Sequence, residues 1–210
     1  MRHKLGRTIS NVQLNSTDID HLRMQSETSN TPRDSRITCD NDDDRTLYFT
    51  GDVDETSITQ AISRITTLSR QNAKKPITIV FNTRGGCVDD MFALYDMIKF
   101  LRTPIYTIGL GKIMSAGVLL LASGSRGCRK IGKRARIMIH PISSVTYGTI
   151  FDQKNIVNEM ERLQTQWQEC MIENTNFTLT QLNAIMSSNV DTYLTPEQAI
   201  SFGIIDAVLD

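Results

Sequence analysis

Two stretches of this 210-residue chain combine glycines with groups that could react. Asn82-Thr83-Arg84-Gly85-Gly86 and Gly109-Leu110-Gly111-Lys112-Ile113-Met114-Ser115-Ala116-Gly117 each follow a short apolar run that reads as a strand. In open parallel sheets, sites gather where strands end and helices begin. Glycine there lets backbone amides approach a ligand closely. A serine that opens a helix faces unpaired N–H groups and the positive end of the dipole, which favour developing negative charge. Neither loop has the Walker or dinucleotide spacing, which argues against a phosphate cradle. Taken alone, Ser115 reads most simply as a turn-and-cap residue.

The histidines change that balance. His3 and His21 lie in a polar N-terminal stretch, and His140 alone lies in the regular part of the chain, at the end of Ile137-Met138-Ile139 and before Pro141. A lone histidine at such a place is more often structural than catalytic. If Ser115 works by Ser–His chemistry, however, His140 is the base by elimination. The third group would be an acid that fixes the imidazole tautomer and stabilises its charged form. Asp191, Asp206 and Asp89 are all available, and composition does not choose among them.

The elements that must hold these residues alternate. Leu47 to Phe49 reads as a strand ending at Gly51, and Ile58, Ile62, Ile65 and Leu68 recur at helical spacing up to Arg70. A second strand runs from Ile77 to Phe81, ending at Gly85-Gly86, and Met91, Leu94, Tyr95, Ile98 and Leu101 make another helical face. Ile105 to Ile108 is a third strand, closed by Gly109 and Gly111, and Ser115 to Ala122 is a helix stopped by Ser123-Gly124. This alternation predicts an α/β fold with a mainly parallel sheet and right-handed crossovers. Beyond it come a strand from Arg136 to Ile139 and a Ser/Thr/Tyr/Gly stretch to Thr149. A long helix follows, whose apolar stripe is Ile156, Met160, Leu163, Trp167 and Met171. Leu179 to Met186 is a short helix, and Thr195-Pro196 caps and opens a last one.

Composition bounds the rest. Residues 1–44 are polar and end in the acidic run Asp40-Asn41-Asp42-Asp43-Asp44, so they read as a flexible arm or processed leader, with the folded domain over 45–210. The run lacks the glycine and distal glutamate of a calcium loop. Lys plus Arg equal Asp plus Glu at 23 each, which gives no support to a nucleic-acid binder. The most apolar stretch, Ile113 to Ala122, is too short to span a membrane, and no secretory signal is visible. Cys39, Cys87, Cys128 and Cys170 match no metal or redox spacing and read as reduced thiols of a cytoplasmic protein.

Four motifs in register resemble the proteolytic subunit of the Clp protease, the ClpP family. Gly111 to Gly117 resembles its nucleophile turn, Arg136 to His140 its histidine strand, and Asn82 to Gly86 its Asn-Ser-Pro-Gly-Gly loop. Asp191 to Ala199, followed by Phe202 to Asp206, resembles its acid motif and closing helix. The resemblance runs from about Leu47 to the C-terminus. It implies the ClpP/crotonase-like fold of repeated β-β-α units, with a handle strand and long helix over about 142–174.

It also implies a serine endopeptidase in which Ser115 attacks, His140 moves the proton and Asp191 orients His140. The N–H groups of Gly86 and Ala116 would form the oxyanion hole, and Gly85, Cys87 and Val88 would line an extended polypeptide substrate. The partners implied are further copies in stacked, heptameric rings and an AAA+ unfoldase. No cofactor is expected in this subunit, since ATP would be used by the partner ATPase.

The chain departs from the pattern at Thr83-Arg84 for Ser-Pro, at Pro141 for Gln and at Asn189-Val190 for an acid–arginine pair. About two extra residues also separate His140 from Asp191. Competing readings are a maturation peptidase working without an unfoldase, an inactive ring subunit, and a crotonase-like acyl-CoA enzyme. The last needs no Ser–His–Asp set.

Overall fold

Three long strands form the centre of the molecule: β2 (Thr46–Val53), β3 (Ile77–Gly86) and β4 (Ile105–Met114), all parallel. The structure is a computed structural model and describes residues 36–38, 44–188 and 190–209. Most of the expected polar arm, with His3, His21, Cys39 and most of the acidic run, lies outside the described residues, as does Asn189. β1 (Arg36–Thr38), inside the stretch expected as an arm, pairs antiparallel with β2.

Parallel neighbours need a crossover between them, and helices supply it. α1 (Glu55–Gln71) follows β2, α2 (Val88–Phe100) follows β3, and α3 (Ala116–Ala122) follows β4. Asp54 caps α1 through the Ser57 N–H, while the Ser57 hydroxyl accepts from the Asp54 N–H. Helical spacing puts Ile58, Ile65 and Leu68 of α1 and Met91 and Leu94 of α2 into one core with Leu47, Phe49, Ile79 and Phe81. The rings of Phe49 and Phe81 meet at 5.5 Å, tilted by 49°. α3 is buried along its whole length.

β4 runs further than its glycines suggest. Phe81 pairs with Gly109 but Thr83 with Ile113, so β4 bulges across Leu110–Lys112 instead of stopping. Gly111, at φ 65°, allows the bend, and it packs against the Asn82 side chain. The bulge splits the next layer of the sheet. Thr107 to Gly109 pair with β5 (Arg129–Gly132), and Lys112 to Met114 pair with β6 (Arg136–Ile139). β6 is joined antiparallel by β7 (Thr192–Leu194), and β5 by the parallel strand β8 (Ala207–Leu209).

The long helix is α4 (Ile150–Asn174), with Thr149 and Asp152 making its capping box. Only its C-terminal turns are buried, through Trp167, Gln168, Met171 and Asn174. Its N-terminal half leaves Ile150, Phe151 and Val157 exposed. Residues 141–149, where a handle strand is expected, form no strand and have no strand partner among the described residues. α5 (Leu179–Ser187) and α6 (Pro196–Ser201) complete the fold, the latter opened by Thr195 and Pro196.

A buried ion pair ties these later elements to the sheet. Arg129 donates to both Asp206 carboxylate oxygens, at 3.0 and 2.6 Å, and to the Asn174 carbonyl at the end of α4, at 2.7 Å. Burial opposes ionisation of Asp206, but the bonds and charge of Arg129 hold its carboxyl below the ordinary range. No helix among the described residues is long and apolar enough to cross a membrane. Cys87, Cys128 and Cys170 are free thiols.

Candidate active site

Ser115 sits where β4 turns into α3, at φ 54° and ψ −123°. Among the described residues it is the one non-glycine with positive φ. Such a conformation costs an L-residue on the order of 1–3 kcal/mol and persists only where its surroundings enforce it. Here the Ser115 N–H donates to the Met138 carbonyl of β6 at 2.8 Å, and its carbonyl accepts from Val118 at 3.0 Å. Its side chain makes no capping bond. The plain cap role is therefore not exercised, and the hydroxyl is left for other use.

The glycine loop is pressed against this turn. A Cβ on Gly85 would lie 2.7 Å from the Ser115 Cβ and 3.0 Å from the Ala116 nitrogen, and one on Gly86 would lie 2.2 Å from the Val53 carbonyl oxygen. Gly117 meets Thr83 in the same way, at 2.5 Å from its methyl group. Thr83 is fully buried, and its hydroxyl accepts from the Gly85 N–H at 3.0 Å, which fixes the loop. Cys87 donates its N–H to Val53 at 2.8 Å. Gly85 and Gly86 both hold positive φ, at 95° and 152°. Ala116 is the first residue of α3, and the first N–H groups of a helix have no intrahelical partner.

His140 follows β6 and is half-buried. Together with Ser115, Gly86 and Ala116 it lines a cavity of about 240 Å³ walled by Met91, Trp167 and Met186. Gln164 of α4 accepts from the Ile142 N–H at 3.2 Å, holding the chain just past His140. Cys87 and Val88 follow the loop at the start of α2, and Val88 lines this cavity. Partial desolvation pushes the Cys87 thiol up, although the residue as a whole is exposed. A raised thiol carries less thiolate at neutral pH.

The three acids separate clearly. Asp206 is engaged by Arg129, and Asp89 is exposed in the first turn of α2. In the β6–β7 ladder Ile137 pairs with Leu194, Met138 with Tyr193 and Ile139 with Thr192, and His140 and Asp191 adjoin the last of these pairs. Asp191 is exposed and lines a neighbouring depression rather than the Ser115 cavity. Among the described residues, no hydrogen bond links the side chains of Ser115, His140 and Asp191.

Strand order, the serine turn and the histidine strand thus occur together, and comparison with known proteins agrees with them. A family model described as Clp protease matches residues 30–210. The chain belongs to the Clp protease family. Its relatives include the ATP-dependent Clp protease proteolytic subunit 1 of Corynebacterium glutamicum, 30% identical over 169 residues, which covers 80% of each chain. The protein of the same name from Thermobifida fusca is 30% identical over 168 residues, covering 80% of this chain and 75% of the relative.

Sequence reasoning did not find Met91, Trp167 and Met186 as walls of the cavity. Two of them, Met91 and Trp167, carry helical periodicity that marks a core, and nothing in that pattern separates a core residue from a pocket wall.

Proposed function

We propose that this chain is a serine endopeptidase subunit that cleaves polypeptides within an oligomeric chamber. The observation that carries the reading is Ser115: strained, uncapped, and sharing one cavity with His140, Gly86 and Ala116.

The Ser115 hydroxyl adds to the peptide carbonyl as its proton passes to His140. The resulting oxyanion accepts from the N–H groups of Gly86 and Ala116. Collapse breaks the C–N bond, and the leaving amine takes the proton from His140, leaving an acyl ester on Ser115. Water, deprotonated by His140, then hydrolyses that ester and restores the serine. Asp191, which like His140 adjoins the last pair of the β6–β7 ladder, orients the imidazole and balances its charge. The substrate lies extended beside Gly85, Cys87 and Val88 as an added strand.

Assembly belongs to the same reading. Val145, Tyr147 and Phe151 are 79%, 85% and 78% exposed, in and beside a segment that has no strand partner among the described residues. Apolar surface of this kind marks a contact, and a second copy stacking ring on ring would cover it and supply the missing strand. We assign to this chain heptameric rings, feeding by an AAA+ unfoldase that hydrolyses the ATP, and a cytoplasmic setting. The support is the family and the words "ATP-dependent" and "proteolytic subunit" in the names of its relatives.

Hydrolysis of internally quenched peptides by the purified full chain tests the activity. Cleavage that disappears in Ser115→Ala, with folding and assembly kept, is the expected result. Equal cleavage by the variant would remove Ser115 from the mechanism.

A further inference from the structure

Beside the Ser115 cavity lies an open depression of about 620 Å³ lined by Arg84, Lys112, Arg136, Asp191 and Tyr193. Arg84 lines both spaces and so connects them. The three cations come from three different strands, β3, β4 and β6, which the β4 bulge brings side by side. The Arg136 guanidinium lies 5.0 Å from the centre of the Tyr193 ring, a cation–π contact that helps to hold the group at the depression. Among the described residues none of the three makes an ion pair.

Asp191 is the one acid in the lining, and on the peptidase reading its charge is committed to His140. Three cations against one carboxylate leave a net positive surface within reach of a bound peptide. A chain with 23 acidic and 23 basic residues overall has no general surplus to explain this.

We infer that this depression is an anionic subsite, which takes a Glu or Asp side chain of the polypeptide substrate close to the scissile bond. Arg84 and Arg136 offer planar donor forks suited to a carboxylate, and Lys112 adds a third positive charge. The enzyme then selects substrates by charge as well as by the apolar cavity next to Ser115. The inference rests on the peptidase reading for its position, but its binding step needs no catalysis.

The test uses the full-length Ser115→Ala chain and decapeptides carrying a neutral fluorophore. A single Glu, or Gln as its isostere, is placed at each position in turn, and binding is followed by anisotropy. For at least one position the Glu peptide is expected to bind about 3–10-fold more tightly, the scale of one or two partly exposed ion pairs. That advantage should shrink as salt is raised. It should fall to about one in a chain that also carries Arg84→Gln, Lys112→Gln and Arg136→Gln. If the triple variant does not fold, Arg84→Gln alone must at least halve the ratio.

A Glu/Gln ratio near one at every position, or a preference that survives neutralisation, would overturn the inference. Failure of the peptidase reading is separate: it is the absence of peptide cleavage by the wild-type chain, whatever the binding ratio.

Discussion

Gly85 and Ser115 are packed so closely that a Cβ on the first would fall 2.7 Å from the Cβ of the second. Gly85 also holds φ 95°, which L side chains avoid. The contact sets the distance between the glycine loop and the serine turn, and with it the spacing of the Gly86 and Ala116 amides.

Gly85→Ala should therefore damage chemistry more than folding. Backbone strain of this kind costs on the order of 1–3 kcal/mol. Displacing an oxyanion donor lowers the rate by about 10²–10³. Urea unfolding and kcat/KM measured on the same preparation separate the two effects. A variant as active as wild type would show that the spacing does not matter.

The Arg129–Asp206 pair gives a stability prediction with a definite pH dependence. Arg129 is only 4% exposed and Asp206 is 22% exposed. Asp206→Asn should destabilise the chain at pH 7 by roughly 2–4 kcal/mol, near the lower end for a broken buried pair because Asp206 is partly solvated. The folded carboxyl is held below the unfolded value of about 3.9. Its contribution is then complete above that value and is lost as pH falls through the lower, folded one. Denaturant melts of wild type and variant should thus differ at pH 7, begin to approach one another below about pH 4, and converge only below the folded value. A gap that stays constant down to acid pH would contradict this.

Assembly can be tested at the exposed apolar residues of the handle. On the proposed stacking of rings, Tyr147→Glu with Phe151→Glu should reduce the size of the particle in sedimentation velocity, because charge on both faces of a stacked contact is not tolerated. The secondary structure should be unchanged, since both side chains are solvent-exposed within the chain. An unaltered particle would place the contact elsewhere.

Much of this was legible in the sequence, and what was not has a common physical cause. Ile77–Phe81 and the helix around Ile58 and Leu68 follow from local periodicity, as does the cap at Thr195-Pro196, and the family resemblance stands. Gly109 and Gly111 were expected to close a strand. They bend it instead, because room for Gly111 depends on Asn82, which is distant in sequence. β5, β7 and β8 are strands of only three or four residues, too short to show a period, and they exist through their partners.

The same holds for the acids. Nothing local distinguishes Asp191 from Asp206, whereas the fold shows Asp206 engaged by Arg129 and Asp191 adjoining the end of the β6–β7 ladder. Ser115 and His140 stood out in the sequence because each is distinctive by type and place, and they line one cavity. The walls of that cavity did not stand out, because Trp167 reads as one more residue of a helical stripe.

The most direct test of the central claim is labelling of the purified, assembled chain with a fluorophosphonate serine probe, followed by peptide mapping. The account predicts modification at Ser115 alone, abolished in Ser115→Ala and strongly reduced in His140→Ala. A folded, assembled preparation that takes up no probe at Ser115, or takes it up equally without His140, would contradict it.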